Sequence, residues 1–261
     1  MEHRSGRPLI RRGALRVFMT ISRRHLLATA AYFAAGTVMA RANVIGGSLP
    51  WHPDAGTPPT PVRPGPWHYF TAGEAAAVEA LADRIIPPDP HTPGGKDAGC
   101  AVYLDRQLAG PYGRDEGDYN KGPFMPGLPN QGRQSKNGWA QQYREWLSAL
   151  DTYCLAHHGN KHFAELTDAE KDDLLKGLDA GKVKLEGTDG KKFMSQAVED
   201  IQMGFFADPI YGANHDMAAW KMIGFPGTRY NYLDWIDRHN ERFPLPPVSL
   251  AGRAEWTPKA G

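Results

Sequence analysis

The sequence predicts a mainly α fold: an irregular helical domain with long Pro/Gly-rich loops, preceded by an extended N-terminal arm. Three observations carry that expectation. Apolar residues recur at helical spacing in five separate stretches, two of those stretches open on a Thr-x-x-Glu capping box, and no stretch alternates as a half-buried strand would. Hydrophobic residues make up 41% of the 261, enough to fill a buried core.

The first helix is predicted from Thr71-Ala72-Gly73-Glu74, where hydroxyl and carboxylate satisfy the first free amides. Ala75, Val78, Leu81, Ala82, Ile85 and Ile86 then share one face, and Pro87-Pro88 stops the element. A second helix is expected over residues 98–108, presenting Val102, Leu104 and Leu108 and ended by Gly110-Pro111. Residues 110–138 are irregular, and a loop of that length usually contacts something. Periodicity resumes through Trp139, Tyr143, Trp146, Leu147, Leu150 and Cys154, closed by His157-His158-Gly159. Thr167-Asp168-Ala169-Glu170 starts a fourth helix carrying Leu174, Leu175 and Leu178, and a fifth spans about 191–206, with Phe193, Ala197, Ile201 and Phe205 every four residues. No internal repeat is visible.

The N-terminus has a different character. Ser22-Arg23-Arg24-His25-Leu26-Leu27 places Arg23 and Arg24 directly before the apolar run 26–39, and Ala40-Arg41-Ala42 supplies the small residues of a cleavage site. Residues 1–42 therefore read as a twin-arginine export signal, engaging the Tat translocase. Its apolar run of 14 residues is shorter than the roughly 20 that span a bilayer, so the mature chain is expected to begin near Asn43. Met19, just ahead of the arginines, is an alternative start. Residues 43–69 are the extended arm, with Pro50, Pro53, Pro58, Pro59, Pro61, Pro64 and Pro66 between Trp51 and Trp67. It either lies along a surface, of this chain or another, or serves as a plain linker. Residues 70–261 form the helical domain.

Charge follows the same division. The formal net charge of +1 conceals eight arginines and one glutamate in the first 42 residues, leaving 22 basic and 28 acidic residues beyond them. That acidic balance argues against a nucleic-acid partner and gives no positive field towards an anionic membrane. Export to an oxidising compartment bears on Cys100 and Cys154, which are expected to pair, a bond worth about 4 kcal/mol at most for a loop of this length. Two separate buried thiols are the alternative.

Familiar cofactor motifs are missing. No Cys-x-x-Cys-His run can attach haem, Gly94-Gly95 to Gly99 has neither the spacing nor the preceding strand of a dinucleotide fingerprint, and two cysteines cannot ligate an iron–sulfur cluster. There is no Gly-x-Ser-x-Gly elbow and no His-Glu-x-x-His helix. The acids and histidines Asp208, His215, Asp216, Asp234, Asp237 and His239 either converge on an acid/base or metal site or perform ordinary capping in turns. His157, His158 and His162 read as solvated surface, since adjacent helical residues point apart. Residues 205–242 gather two tryptophans, three tyrosines and three phenylalanines among glycines and prolines, which is how a docking surface is often built.

That segment also carries a resemblance. FFADPIYG (205–212), WKMIGFPG (220–227) and YNY (230–232) resemble the C-terminal signature of the gluconate 2-dehydrogenase subunit 3 family, and FTAGEAAAVEALADRIIPP (70–88) with AGCAVYLDRQLAG (98–110) is similar to its opening helices. The family comprises small, or gamma, subunits of membrane-associated flavin-dependent sugar and sugar-acid dehydrogenases. The resemblance implies that FAD and the substrate site belong to a large flavoprotein subunit, that a multihaem cytochrome c with haem c passes electrons to quinone, and that this chain holds no cofactor. It implies a non-catalytic partner that binds the large subunit, supports its maturation and co-exports it, residing in the periplasm at the inner membrane. Tyr211, Trp220, Phe225, Tyr230 and Trp235 are the expected interface rings. The competing expectation is a self-sufficient periplasmic enzyme using the acids and histidines of residues 208–239.

Overall fold

The computed structural model describes residues 60–252, apart from 118–120, 126, 134 and 230. The expected twin-arginine signal, Trp51 and Tyr230 therefore lie outside the described residues. Six α-helices are present among the described residues: α1 (Ala72–Ile85), α2 (Cys100–Ala109), α3 (Trp139–His157), α4 (Asp168–Asp179), α5 (Gly190–Phe206) and α6 (Ala218–Ile223). No strand occurs among them, only isolated bridges pairing Gly227 with Val248 and Ser249 with Gly252. The fold is mainly α, as the periodicity predicts.

Local chemistry accounts for the helix starts. Thr71 and Glu74 form a complete capping box on α1, and Thr167 and Glu170 form one on α4. α5 begins differently, with the Asp189 carboxylate accepting from the amides of Lys191 and Lys192 at 3.0 and 3.1 Å. α2 has no side-chain cap; its N-terminal neighbour Gly99 stands at φ 87°, a left-handed conformation open to glycine.

α5 is the element the others close around, packing against α2, α4 and α3, with α1 bridging α2 and α4. Phe193, Ala197, Ile201 and Phe205 are all buried on its inner face. Gly204 permits the close approach of α2: a Cβ there would sit 2.9 Å from the Tyr103 ring. At the centre Tyr143, Trp146 and Phe193 meet, with Tyr143 edge-on to Trp146 at 5.3 Å and Trp146 5.5 Å from Phe193. Such ring pairs contribute roughly 0.5–1.5 kcal/mol each beyond the area they bury.

Two buried carboxylates organise this core. Asp105 on α2 accepts hydrogen bonds from the backbone amides of His68, Tyr69 and Phe70, each at 2.9 Å, and pairs with Arg106. It thereby fastens the end of the N-terminal arm to the helices. Asp200 on α5 accepts from the Tyr143 and Tyr112 hydroxyls and from Gln196 Nε2. Burial raises its pKa, against the lowering effect of those three donors.

The described part of the arm lies on the chain itself. The Val62 amide donates to the Ile210 carbonyl at 2.8 Å, and its side chain covers Gly212 so closely that a Cβ on Gly212 would be 2.7 Å away. Trp67 stands edge-on to Phe70 and Arg144 lies 4.3 Å over the Tyr69 ring. The long 110–138 loop also turns inward. Tyr112 stacks on Trp139, the Asp115 carboxylate accepts from the Trp139 amide at 3.1 Å, and Arg133 lies 4.1 Å over the Trp139 ring.

Candidate docking surface

The segment after α5 is built from short pieces, each held by a polar side chain. Asp208 caps a 3-10 turn (Pro209–Tyr211) by accepting from the Ile210 amide at 3.0 Å, and its second oxygen accepts from the Leu250 amide at 2.8 Å. Asn214, fully buried, donates to the Ala207 carbonyl and accepts from the Ala219 amide, both at 2.9 Å. These bonds support a left-handed run, since Asn214, Asp216 and Met217 all have φ between 51° and 55°. His215 hydrogen-bonds the Asp97 carbonyl at 2.8 Å, and Asp216 pairs with Lys221 at 2.6 Å.

The predicted interface rings divide. Trp220 is only 5% exposed, and its indole N–H donates to the Phe206 carbonyl at 2.8 Å, so it forms a floor and does not project as a ring. Phe225 stands edge-on to it at 5.1 Å and is 43% exposed, as is Tyr211. Trp235 is half-buried, 5.1 Å from Phe243 and 4.7 Å below the Arg238 guanidinium. Apolar side chains not among the expected interface rings are exposed as well: Met203 and Phe206 at the end of α5, Met222 and Ile223 at the end of α6, then Leu233, Ile236 and Leu245. Their signal in the sequence was faint because Met222 and Ile223 sit on a helix of six residues, too short to show a polar face.

A cleft of about 380 Å³ opens beside Trp220 and Phe225. Trp220 and Phe225 line one side, and Phe243, Leu245 and neighbouring prolines line the other. The two sides are tied together: Gly227 bridges Val248, the Thr228 amide and hydroxyl both donate to the Val248 carbonyl, and Arg229 Nη2 donates to the Pro246 carbonyl at 2.6 Å. Gly227 stands at φ 78°, and a Cβ there would lie 2.2 Å from that Val248 carbonyl oxygen.

The acids and histidines do not converge. Asp208, His215 and Asp216 each serve a different backbone or side-chain partner, and Asp234, Asp237 and His239 are exposed. Among the described residues no group of three or more His, Cys, Asp or Glu side chains is placed to hold a metal ion. His157 stacks on Tyr153, and His162 pairs with Asp151 at the surface. Nor do the glycines form a phosphate cradle. A Cβ on Gly94 would meet the Asp83 carboxylate, one on Gly95 the Ala82 carbonyl, and one on Gly99 the His215 ring, so this glycine run is occupied by packing onto neighbouring protein. The expected pairing of Cys100 with Cys154 is not made: both are buried free thiols, Cys100 at the start of α2 and Cys154 near the end of α3. Burial raises the pKa of both thiols, with a smaller contribution from Asp83 at Cys100 and from Asp151 at Cys154.

The sequence pattern of the family described as gluconate 2-dehydrogenase subunit 3 matches residues 72–227, more than half of the chain. The chain belongs to the gluconate 2-dehydrogenase subunit 3 family. The match runs from α1 through the Gly227 bridge, so the family's shared part contains the whole helical core and one wall of the cleft, while the opposite wall, residues 242–247, lies beyond it. The family name is that of a subunit of a multisubunit dehydrogenase. No curated protein and no solved structure matches this family member. Among its described residues no helix is long and apolar enough to cross a membrane.

Proposed function

We propose that this chain is the non-catalytic small subunit of a periplasmic, membrane-associated, flavin-dependent dehydrogenase acting on gluconate or a related sugar or polyol. It binds the large flavoprotein subunit, aids its maturation and carries it across the inner membrane by the twin-arginine route. In this reading FAD belongs to the large subunit and haem c to a cytochrome subunit that receives the electrons. The observation that carries it is membership of the subunit 3 family over the whole helical core. The paired arginines Arg23 and Arg24 ahead of an apolar run support the export role, and the exposed apolar side chains from Met203 to Leu245 support partner binding.

The test is expression of the chain with and without the flavoprotein subunit, reading flavin absorbance, dye-linked dehydrogenase activity and periplasmic delivery of the flavoprotein. Flavin and turnover are expected only when the large subunit is present, and its delivery only when this chain accompanies it. Flavin or turnover in the isolated small chain would overturn the reading.

A further inference from the structure

Beyond partner binding in general, the geometry points to the place and chemistry of the contact. We propose that the cleft between α6 and residues 242–247 receives one acidic peptide segment of the flavoprotein subunit, seating an apolar side chain over Trp220 and a carboxylate against Arg242. The proposal rests on the subunit reading given above.

The walls favour a peptide over a sugar. Phe225, Phe243, Leu245, Pro226, Pro244, Pro246 and Pro247 present apolar surface, and the lining includes just two polar side chains, Lys221 and Arg242. A sugar needs several convergent donors and acceptors to replace its hydration, and the cleft does not offer them. A volume of about 380 Å³ accommodates a large apolar side chain with its flanking backbone.

Charge selects the sign of the occupant. Lys221 is already neutralised by Asp216 at 2.6 Å. Arg242 is exposed and has no carboxylate partner among the described residues. An exposed guanidinium at the edge of an apolar cleft is the arrangement that recognises a carboxylate beside an apolar anchor, because the planar fork gives it direction.

The cleft is also formed in advance. Trp220 is pinned by its bond to the Phe206 carbonyl, proline at four lining positions restricts the backbone, and the Thr228 and Arg229 bonds hold the walls at a fixed separation. A site that does not have to order itself loses less entropy on binding. Phe225 and Leu245, both exposed, then stand as apolar walls for the anchoring side chain at the centre of the contact.

The experiment measures affinity between the purified full chain and the flavoprotein subunit by biolayer interferometry at two salt concentrations, with circular dichroism verifying that each variant is folded. Phe225→Ala and Leu245→Asp are each expected to weaken binding about tenfold or more, the scale of a central contact. Arg242→Glu should weaken it similarly and reduce its salt dependence, whereas Lys176→Glu on α4 should stay within about twofold. Retention of wild-type affinity by all three folded cleft variants would overturn the proposal while leaving the subunit reading intact. So would a cleft-sensitive dimer of the chain alone in ultracentrifugation, or cleft-sensitive flotation with phosphatidylglycerol vesicles, which would assign the cleft to a second copy or to lipid. Failure of the wild-type pair to associate at all would overturn the subunit reading itself.

Discussion

At the residue scale, Asp105 shows how one buried acid can hold two parts of a chain together. Burial by itself would raise its pKa, but the amides of Phe70, His68 and Tyr69 and the Arg106 charge outweigh it and hold the carboxyl below its ordinary value. A depressed carboxylate stabilises the fold above its unfolded pKa, and that contribution is lost as pH falls through the lower folded value. Asp105→Asn is therefore expected to cost about 1–3 kcal/mol at neutral pH and to flatten the acid limb of stability, as read from urea unfolding across a pH series. Asp200 acts with the opposite sign, because burial raises its pKa and its stabilising effect declines as pH rises through the raised value. The cysteines make a second test at this scale. Burial pushes Cys100 up to about 12 and Cys154 up to about 11, so little thiolate exists near neutrality. Iodoacetamide at pH 8 should modify neither in the native protein and both in guanidinium, counted by mass spectrometry. A disulfide in protein recovered from the periplasm would contradict the separated thiols.

At the element scale, the helices were legible because their signals are local. Thr71 with Glu74, Thr167 with Glu170, and the four-residue rhythm of Phe193, Ala197, Ile201 and Phe205 each mark an element without reference to any other. The elements left unread depend on distant partners. The 3-10 turn Phe163–Glu165 packs against α1 through buried Phe163, and α6 is held by Asn214 and by the Trp220 bond to α5. Helix crossing has the same non-local character, which gives a paired prediction. Gly204→Val should drive the Tyr103 ring away and cost about 1–3 kcal/mol through overpacking. Gly73→Ala, in open space in the first turn of α1, should stabilise by about 0.4–1 kcal/mol. Chemical denaturation of the two variants reads both outcomes; equal effects would show that the α2–α5 approach does not require Gly204.

At the scale of the whole molecule, the division of charge separates a basic N-terminal segment, proposed above as an export leader, from an acidic remainder. If the leader serves a complex and not this chain alone, replacing Arg23 and Arg24 by lysine should strand both this chain and the flavoprotein subunit in the cytoplasm, measured by cell fractionation. Normal export of the flavoprotein in that variant would show that it does not travel with this chain. The sequence by itself determined the helical class, the positions of five helices and the family, because caps, periodicity and a motif run are properties of neighbouring residues. Only the tertiary structure decided what the 205–242 segment does with its side chains. Trp220 is buried because the Phe206 carbonyl lies within reach of its indole, Phe225 and Tyr211 are exposed because nothing in the described chain covers them, and Asp208 and His215 are engaged by Leu250 and Asp97. Exposure and pairing are set by which distant residues arrive beside a side chain, and that is information the local pattern does not contain.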